Sequence, residues 1–242
     1  MSNKIFHGKT DIGLKRQNNE DVFLVSPEHD FCLAADGMGG AAAGEVASKI
    51  FAETTLDIFS AQQNRSEKES LYRVQKAYYK ANEKILEHII AHPDHRGMGC
   101  TAELLAFYEN NFILGHIGDS RTYRLRNGEL EQLTEDHTLV QQQLREGLIS
   151  TDEIRHHPMR HVIFRAVGIK EEMTINLLQG KTHPSDLFLL CSDGLTDMID
   201  DDQILDILCA DTEINHKTES LIESAKIAGG LDNITVVLVS IP

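Results

Sequence analysis

Basic side chains are scarce in this sequence: Lys and Arg number 23 against 38 Asp and Glu, a formal charge of −15 over 242 residues. That deficit disfavours nucleic acid or an anionic membrane surface as a partner, because both are bound through basic patches. No basic or aromatic binding run makes up for it. Cysteine is also sparse: Cys32, Cys100, Cys191 and Cys209 form no Cys-x-x-Cys pair, so neither a disulfide framework nor a zinc site is encoded. Cys32, Cys191 and Cys209 lie in apolar runs and read as ordinary buried thiols. A Cys-x5-Arg phosphate-binding loop is missing too. No apolar stretch is long enough to span a bilayer, and no secretory leader is recognisable at the N-terminus. The expected compartment is a reducing cytoplasm, with no membrane insertion. Internal repeats, low-complexity tracts and long linkers are absent as well. With 41% apolar residues the chain can bury a sizeable core, and a single domain over 1–242 is expected.

What the sequence does contain is a set of carboxylates at the ends of apolar runs. Phe31-Cys32-Leu33-Ala34-Ala35 reads as a buried strand that stops at Asp36-Gly37-Met38-Gly39-Gly40. A carboxylate at the end of a buried strand is costly unless a cation or hydrogen bonds satisfy it, and the glycines let the backbone approach a ligand closely. The pattern recurs where Leu187 to Ser192 runs into Asp193-Gly194, where Asp232 precedes the β-rich run Ile234 to Val239, and where Glu20-Asp21 leads into Val22 to Val25. A lone Asp-Gly is usually a surface turn. Four strand-end acidic positions that meet in space would repel one another unless cations lay between them, which points to a binuclear centre with oxygen ligands. Arg16 stands four residues before the acidic pair; its planar fork can neutralise that charge or bind a phosphoryl group, and spacing does not separate the two.

The remaining elements follow from periodicity. Ile5 to Lys15 is an opening strand with a turn around Gly13. Two amphipathic helices begin at Gly44 and near Leu71. Short strands are expected over Thr101 to Phe107, Phe112 to Ile117, Arg121 to Leu125 and Glu129 to Leu133, joined as one antiparallel meander with Asn127-Gly128 as a hairpin turn. The turn Gly118-Asp119-Ser120-Arg121 offers a further acidic ligand. A small helical insertion spans about 138–162 and carries His156, His157 and His161, read as solvated surface histidines with no second ligand cluster facing them. Strands over Met173 to Leu178, Asp186 to Cys191 and Ile234 to Ile241, and helices over Gln203 to Leu208 and Lys217 to Ala228, complete an α+β domain of packed layers.

Seven segments occur here in the order in which they occur in the metal-dependent serine/threonine protein phosphatases of type 2C. They are Arg16 to Asp21, Asp36 to Gly40, Gly99 to Thr101, Gly118 to Arg121, Leu133 to His137, Ser192 to Asp197 and Gly230 to Thr235. The chain resembles that family from about Phe6 to its end, and its compact length and the insertion after His137 resemble the bacterial stand-alone branch. The resemblance implies a four-layer α-β-β-α sandwich of two antiparallel sheets flanked by helices, with a helical flap at 138–162 that helps select substrates. It implies that Asp36 bridges two Mn2+ or Mg2+ ions, that the Gly37 carbonyl binds the first, and that Asp193 and Asp232 bind the second. By the same resemblance the acidic pair would supply a further direct or water-mediated ligand, Asp21 by motif position, with Glu20 as the alternative. Asp119, helped by Asp197, would hold a looser third ion, and Arg16 would hold the substrate phosphate. The implied reaction is hydrolysis of phosphoserine and phosphothreonine in proteins, opposing a serine/threonine kinase.

Three positions depart from the family pattern. Met38 occupies the position of a histidine proposed as general acid in animal members, and Ala41 that of a histidine in many bacterial relatives, so this loop carries no obvious proton donor. Cys100, in place of the usual threonine after Gly99, reads as a core substitution. Two other functions fit the sequence less well. A phosphoprotein-binding scaffold is expected to lack a metal-binding aspartate, and none is missing; a two-metal phosphoesterase acting on nucleic acid or nucleotides conflicts with the charge of −15 and the absence of basic or aromatic binding runs.

Overall fold

The computed structural model describes residues 4–39, 43–61, 66–154 and 157–242. The expectations for Gly40, Ala41 and His156 therefore lie outside the described residues. The first half of the chain runs β1 (Ile5–Asp11), β2 (Asp21–Ser26), β3 (Phe31–Met38), α1 (Gly44–Ser60), α2 (Glu67–Ala91), β4 (Gly99–Cys100), β5 (Ala102–Tyr108), β6 (Asn111–Ile117), β7 (Arg121–Arg126) and β8 (Glu129–Gln132). The second half runs α3 (Leu139–Arg145), α4 (Thr151–Ile154), β9 (Asn176–Lys181), β10 (Leu187–Cys191), α5 (Asp193–Thr196), α6 (Asp201–Cys209), α7 (Ile214–Ile227) and β11 (Ile234–Ser240).

These strands form two antiparallel sheets, ordered β1-β11-β10-β7-β8 and β2-β3-β5-β6-β9, with β4 paired to β3. The central strands bury both faces, which explains their near-continuous apolar sequences. In β3, Phe31, Leu33 and Ala35 face α1 and α2, whereas Cys32 and Ala34 face the other sheet. In β11, Ile234, Val236 and Leu238 face α6 and α7, and Val237 and Val239 point inward. Period-2 alternation thus divides each strand between two cores. Phe188 joins the sheets: its ring meets Phe112 at 5.1 Å and Phe107 at 5.8 Å, both edge-on. The result is the expected four-layer sandwich.

One expectation fails. The four middle strands are not a single meander. β5 and β6 form a hairpin in one sheet, and β7 and β8 form a hairpin in the other. His116 and the rest of β6 pair outward with β9 instead, so Gly118-Asp119-Ser120 is a crossover between sheets. A short glycine-containing turn looks the same in sequence whether it reverses a strand or changes sheet. Two smaller differences concern burial and register. Cys209 is exposed at the end of α6, and β9 starts three residues later than the period suggests. The insertion is pinned at its root by the Thr138–Ile163 bridge and by Leu139 N–H donating to the Val162 carbonyl at 2.9 Å.

Because Phe188 is packed from both sheets, Phe188→Ala should lower the free energy of unfolding by about 3–5 kcal/mol. Ile227→Ala, at a side chain 86% exposed, should cost under about 0.5 kcal/mol. Urea denaturation measures both; equal costs would refute the packing of Phe188 between the two sheets.

Candidate metal centre

Each carboxylate singled out in the sequence is delivered by a separate segment to one edge of the sandwich. Asp21, the first residue of β2, lies directly opposite Asp36 of β3 in the strand register. Like charges placed opposite one another destabilise a sheet. Asp193 opens α5 immediately after β10, Asp232 precedes β11, Asp119 sits in the β6–β7 crossover and Asp197 follows α5. Arg16, Glu20, Asp36, Gly37, Asp119, Asp193, Asp197 and Asp232 line one cleft of about 450 Å³, and Asp21 lies buried beneath it.

The backbone around these groups is held by short polar bonds. Asn233 is the main organiser: its amide donates to the Ile12 and Asn18 carbonyls at 3.0 and 2.9 Å and accepts from Glu20 N–H at 2.8 Å. Gly194 is the residue that its neighbour allows, because a Cβ there would stand 1.9 Å from the Asn233 carbonyl oxygen. Gly37 N–H donates to the Glu20 carbonyl, which also accepts from Ser48. Thr101 accepts from Asp36 N–H at 3.1 Å and meets Ser120 at 2.6 Å. Ser192 donates to Asp21 Oδ2 at 2.7 Å.

After these bonds are counted, Asp21 Oδ1, Asp119 Oδ1 and Asp193 Oδ1 are buried with no hydrogen-bond partner. Such atoms cost several kcal/mol unless satisfied. Burial raises the Asp36 carboxyl well above the ordinary range, and the charges of Asp21, Asp193, Asp119 and Asp232 push it further. Asp193 is raised in the same direction, by burial and then by Asp119 and Asp197. Burial, aided by Asp232, lifts Asp21 to about 6, and burial with Asp136 and Asp197 lifts Asp119 to about 7. Among the described residues two arginines line this cleft: Arg16, whose Nη2 meets Asp232 Oδ2 at 2.6 Å at the mouth, and Arg160 beside Asp197. They do not balance so many carboxylates. Orphaned hard oxygen atoms with mutually raised proton affinities fit divalent cations such as Mn2+ or Mg2+.

The sequence reading of the flap histidines is corrected at one position. His161 Nδ1 lies 3.3 Å from Asp197 Oδ2, and Arg160 Nη2 lies 3.7 Å from the same oxygen. His161, Asp193 and Asp197 place one ligand atom each within 4.8 Å of one another. The root of the flap folds this segment back over the cleft, a long-range closure that no local pattern announces. Asn233 and Ser192 were also missed as organisers, although both sit inside the motifs around the aspartates.

The raised carboxyls define a pH dependence. In the metal-free fold these groups hold protons that the unfolded chain, with aspartate near 3.8, has already released. Their stability contribution is complete below that value and is lost as pH rises through about 6 and 7. Melting in EDTA should therefore occur at lower temperature at pH 7.5 than at pH 5. Mn2+ at ~100 times its Kd should raise the midpoint by about 5–10 °C at pH 7.5, and by much less at pH 5. Equal Mn2+ shifts at both pH values would contradict this.

Known proteins resemble this chain in sequence and in fold. A family model described as protein phosphatase 2C matches residues 14–228. Protein phosphatase PhpP of Streptococcus pneumoniae is 39% identical over 237 residues, which cover 96% of this chain and 95% of that protein. The crystal structure of the Mycobacterium tuberculosis serine/threonine phosphatase PstP/Ppp superposes with a TM-score of 0.92 at 37% identity, covering 98% of each chain. A structure of the PstP catalytic domain in complex with two manganese ions superposes at 0.89 with 36% identity, covering 98% of this chain and 97% of that one. With this fold, this match along its length and carboxylates gathered as a metal site requires, the chain belongs to the protein phosphatase 2C family, the metal-dependent serine/threonine protein phosphatases.

Proposed function

We propose that Asp36, Asp193 and Asp232, with the Gly37 carbonyl, hold two Mn2+ or Mg2+ ions at the floor of this cleft, that Asp21 or Glu20 adds a ligand, and that Asp119 and Asp197 hold a third. The observation that carries the reading is the set of buried, unpartnered oxygens of Asp21, Asp119 and Asp193 beneath a cleft with Arg16 at its mouth. Bound there, the ions make water acidic enough to lose a proton near neutral pH and offset the charge of the phosphoryl oxygens.

The chain's own groups do the rest. Arg16 receives the phosphate: its side chain is 53% exposed, and it offers donors beyond the one given to Asp232. Ser192 and Asn233 fix the carboxylate-bearing loops, so the electrostatic field is preorganised before substrate arrives. Covalent catalysis by sulfur is disfavoured: among the described residues no cysteine lines the cleft, and Cys32, Cys100 and Cys191 are buried with thiols pushed far up by desolvation. The side chain of Met38 cannot donate a proton to the leaving alkoxide.

The substrates are phosphoserine and phosphothreonine side chains of proteins, produced by a cognate serine/threonine kinase. Residues 1–242 act as one phosphatase domain, with the flap over about 138–162 contributing to substrate choice. Among the described residues no helix is long and apolar enough to cross a membrane, and with the acidic charge and free thiols this supports a cytoplasmic location.

A phosphothreonine peptide tests the reading. Phosphate release should require Mn2+ or Mg2+ and stop with EDTA. Arg16→Ala should raise KM by about tenfold or more while changing kcat less, which corresponds to loss of a charge-assisted hydrogen bond worth about 1.5–3 kcal/mol. Release that persists in EDTA, or a KM unchanged in the variant, would overturn it.

A further inference from the structure

A charged pair is buried between the two sheets a few residues from the cleft. Glu103 of β5 and His116 of β6 face each other across the ladder, fully and almost fully buried, and their side chains are hydrogen-bonded through Nδ1. Thr122 of the opposite sheet donates to the other carboxylate oxygen, and His116 Nε2 meets the Glu135 carbonyl at 2.9 Å. Both imidazole nitrogens thus face oxygen acceptors, which suits a cation held against a carboxylate. A pair like this is rarely stabilising in itself, since desolvation offsets the attraction. Its position is what calls for an explanation.

The His116 ring stacks on His137 at 4.6 Å and 29°. His137 in turn grips Gly118 twice. The Gly118 N–H donates to His137 Nδ1 at 3.0 Å, and the His137 N–H donates to the Gly118 carbonyl at 2.7 Å. Gly118 has φ +114°, and it directly precedes Asp119. The carbonyl of His137 accepts from Phe164 N–H at 3.0 Å, closing the flap root one step outside the Thr138–Ile163 bridge. Accepting at Nδ1 requires a neutral ring; burial, with the nearby His116 and Arg165 cations, lowers the His137 pKa to about 3.

We propose that Glu103, His116 and His137 are positioning residues: a buried joint that sets the Asp119 carboxylate against the flap root, so that loosening the joint misplaces Asp119 on its side of the metal centre. The proposal rests on the reading of Asp119 as a working carboxylate. A turn held at Gly118 by a side chain and by backbone aims the next residue, and a misplacement of about 1 Å can cost on the order of 100-fold in rate. The ion pair fixes the ring on which His137 stacks.

The test is a double-mutant cycle with a conservative control. His137→Leu removes the acceptor for Gly118 N–H, whereas His137→Asn places an amide oxygen near the Nδ1 position. On a phosphothreonine peptide with saturating Mn2+, H137L should lower kcat at least tenfold with KM within twofold, and H137N should recover most of the loss. On the Asp119→Asn background, H137L should cost less than threefold more. By calorimetric titration, H137L should weaken the weakest Mn2+ binding step by about tenfold and leave the tighter ones unchanged. If H137L does not fold, Glu103→Gln goes through the same cycle. Full additivity with D119N, or a lower melting temperature with kcat and Mn2+ binding unchanged, would overturn the proposal by making the joint merely structural. D119N with wild-type kcat would instead remove Asp119 from the reaction, and with it the reading beneath the proposal.

Discussion

Repulsion among carboxylates in a low-dielectric pocket is the constraint on which this structure turns. Asp21 and Asp36 face each other across a ladder, and Asp119, Asp193 and Asp232 converge on them from three other segments. Burial and mutual repulsion raise the Asp21 and Asp119 carboxyls, and Arg16 pairs with Asp232. Neither effect satisfies the buried oxygens left without partners. Divalent ions held among these oxygens would satisfy them, and their binding would then add to the stability of the fold.

The sandwich is the frame that makes this gathering affordable. Two sheets buried on both faces give a core stiff enough to hold β2, β3, β10 and β11 in register. The acidic residues then sit where strands meet loops at one edge, positioned by a rigid scaffold but open to solvent. Asn233 and Ser192 tie the loops from both ends of the chain together, so the centre forms only when the first and last strands are paired with their neighbours. The flap closes over the same edge, bringing Arg160 and His161 to Asp197.

How much of this is readable beforehand differs by element. The run Phe31 to Ala35 ending at Asp36, and its counterpart before Asp193, expose both a buried strand and a carboxylate in need of a cation, because burial and charge are local properties of sequence. The resemblance extends the list to Asp119, Asp197 and Arg16, and all of them reach one cleft. What was not legible depends on partners distant in sequence. The Gly118 turn gives no sign of changing sheets, since β9 takes the place beside β6 only after some sixty residues of intervening chain. His161 looks like a surface histidine until the flap root places it against Asp197. Cys209 ends an amphipathic helix on its exposed last position, and helical periodicity fades at a terminus. Asn233 could have been suspected, because an amide directly after a metal-type aspartate has few other uses beside a strand start.

The measurement that tests the account most directly is the stoichiometry of Mn2+ binding, by equilibrium dialysis at pH 7.5, for the wild-type chain and for Asp36→Asn. If Asp36 is the carboxylate shared at the floor of the cleft, the wild type takes up at least two ions tightly and the variant loses tight binding of both, while remaining folded by circular dichroism. Two tight ions retained in Asp36→Asn, or no saturable uptake by the wild type, would contradict the claim that this fold is organised around cations held between its carboxylates.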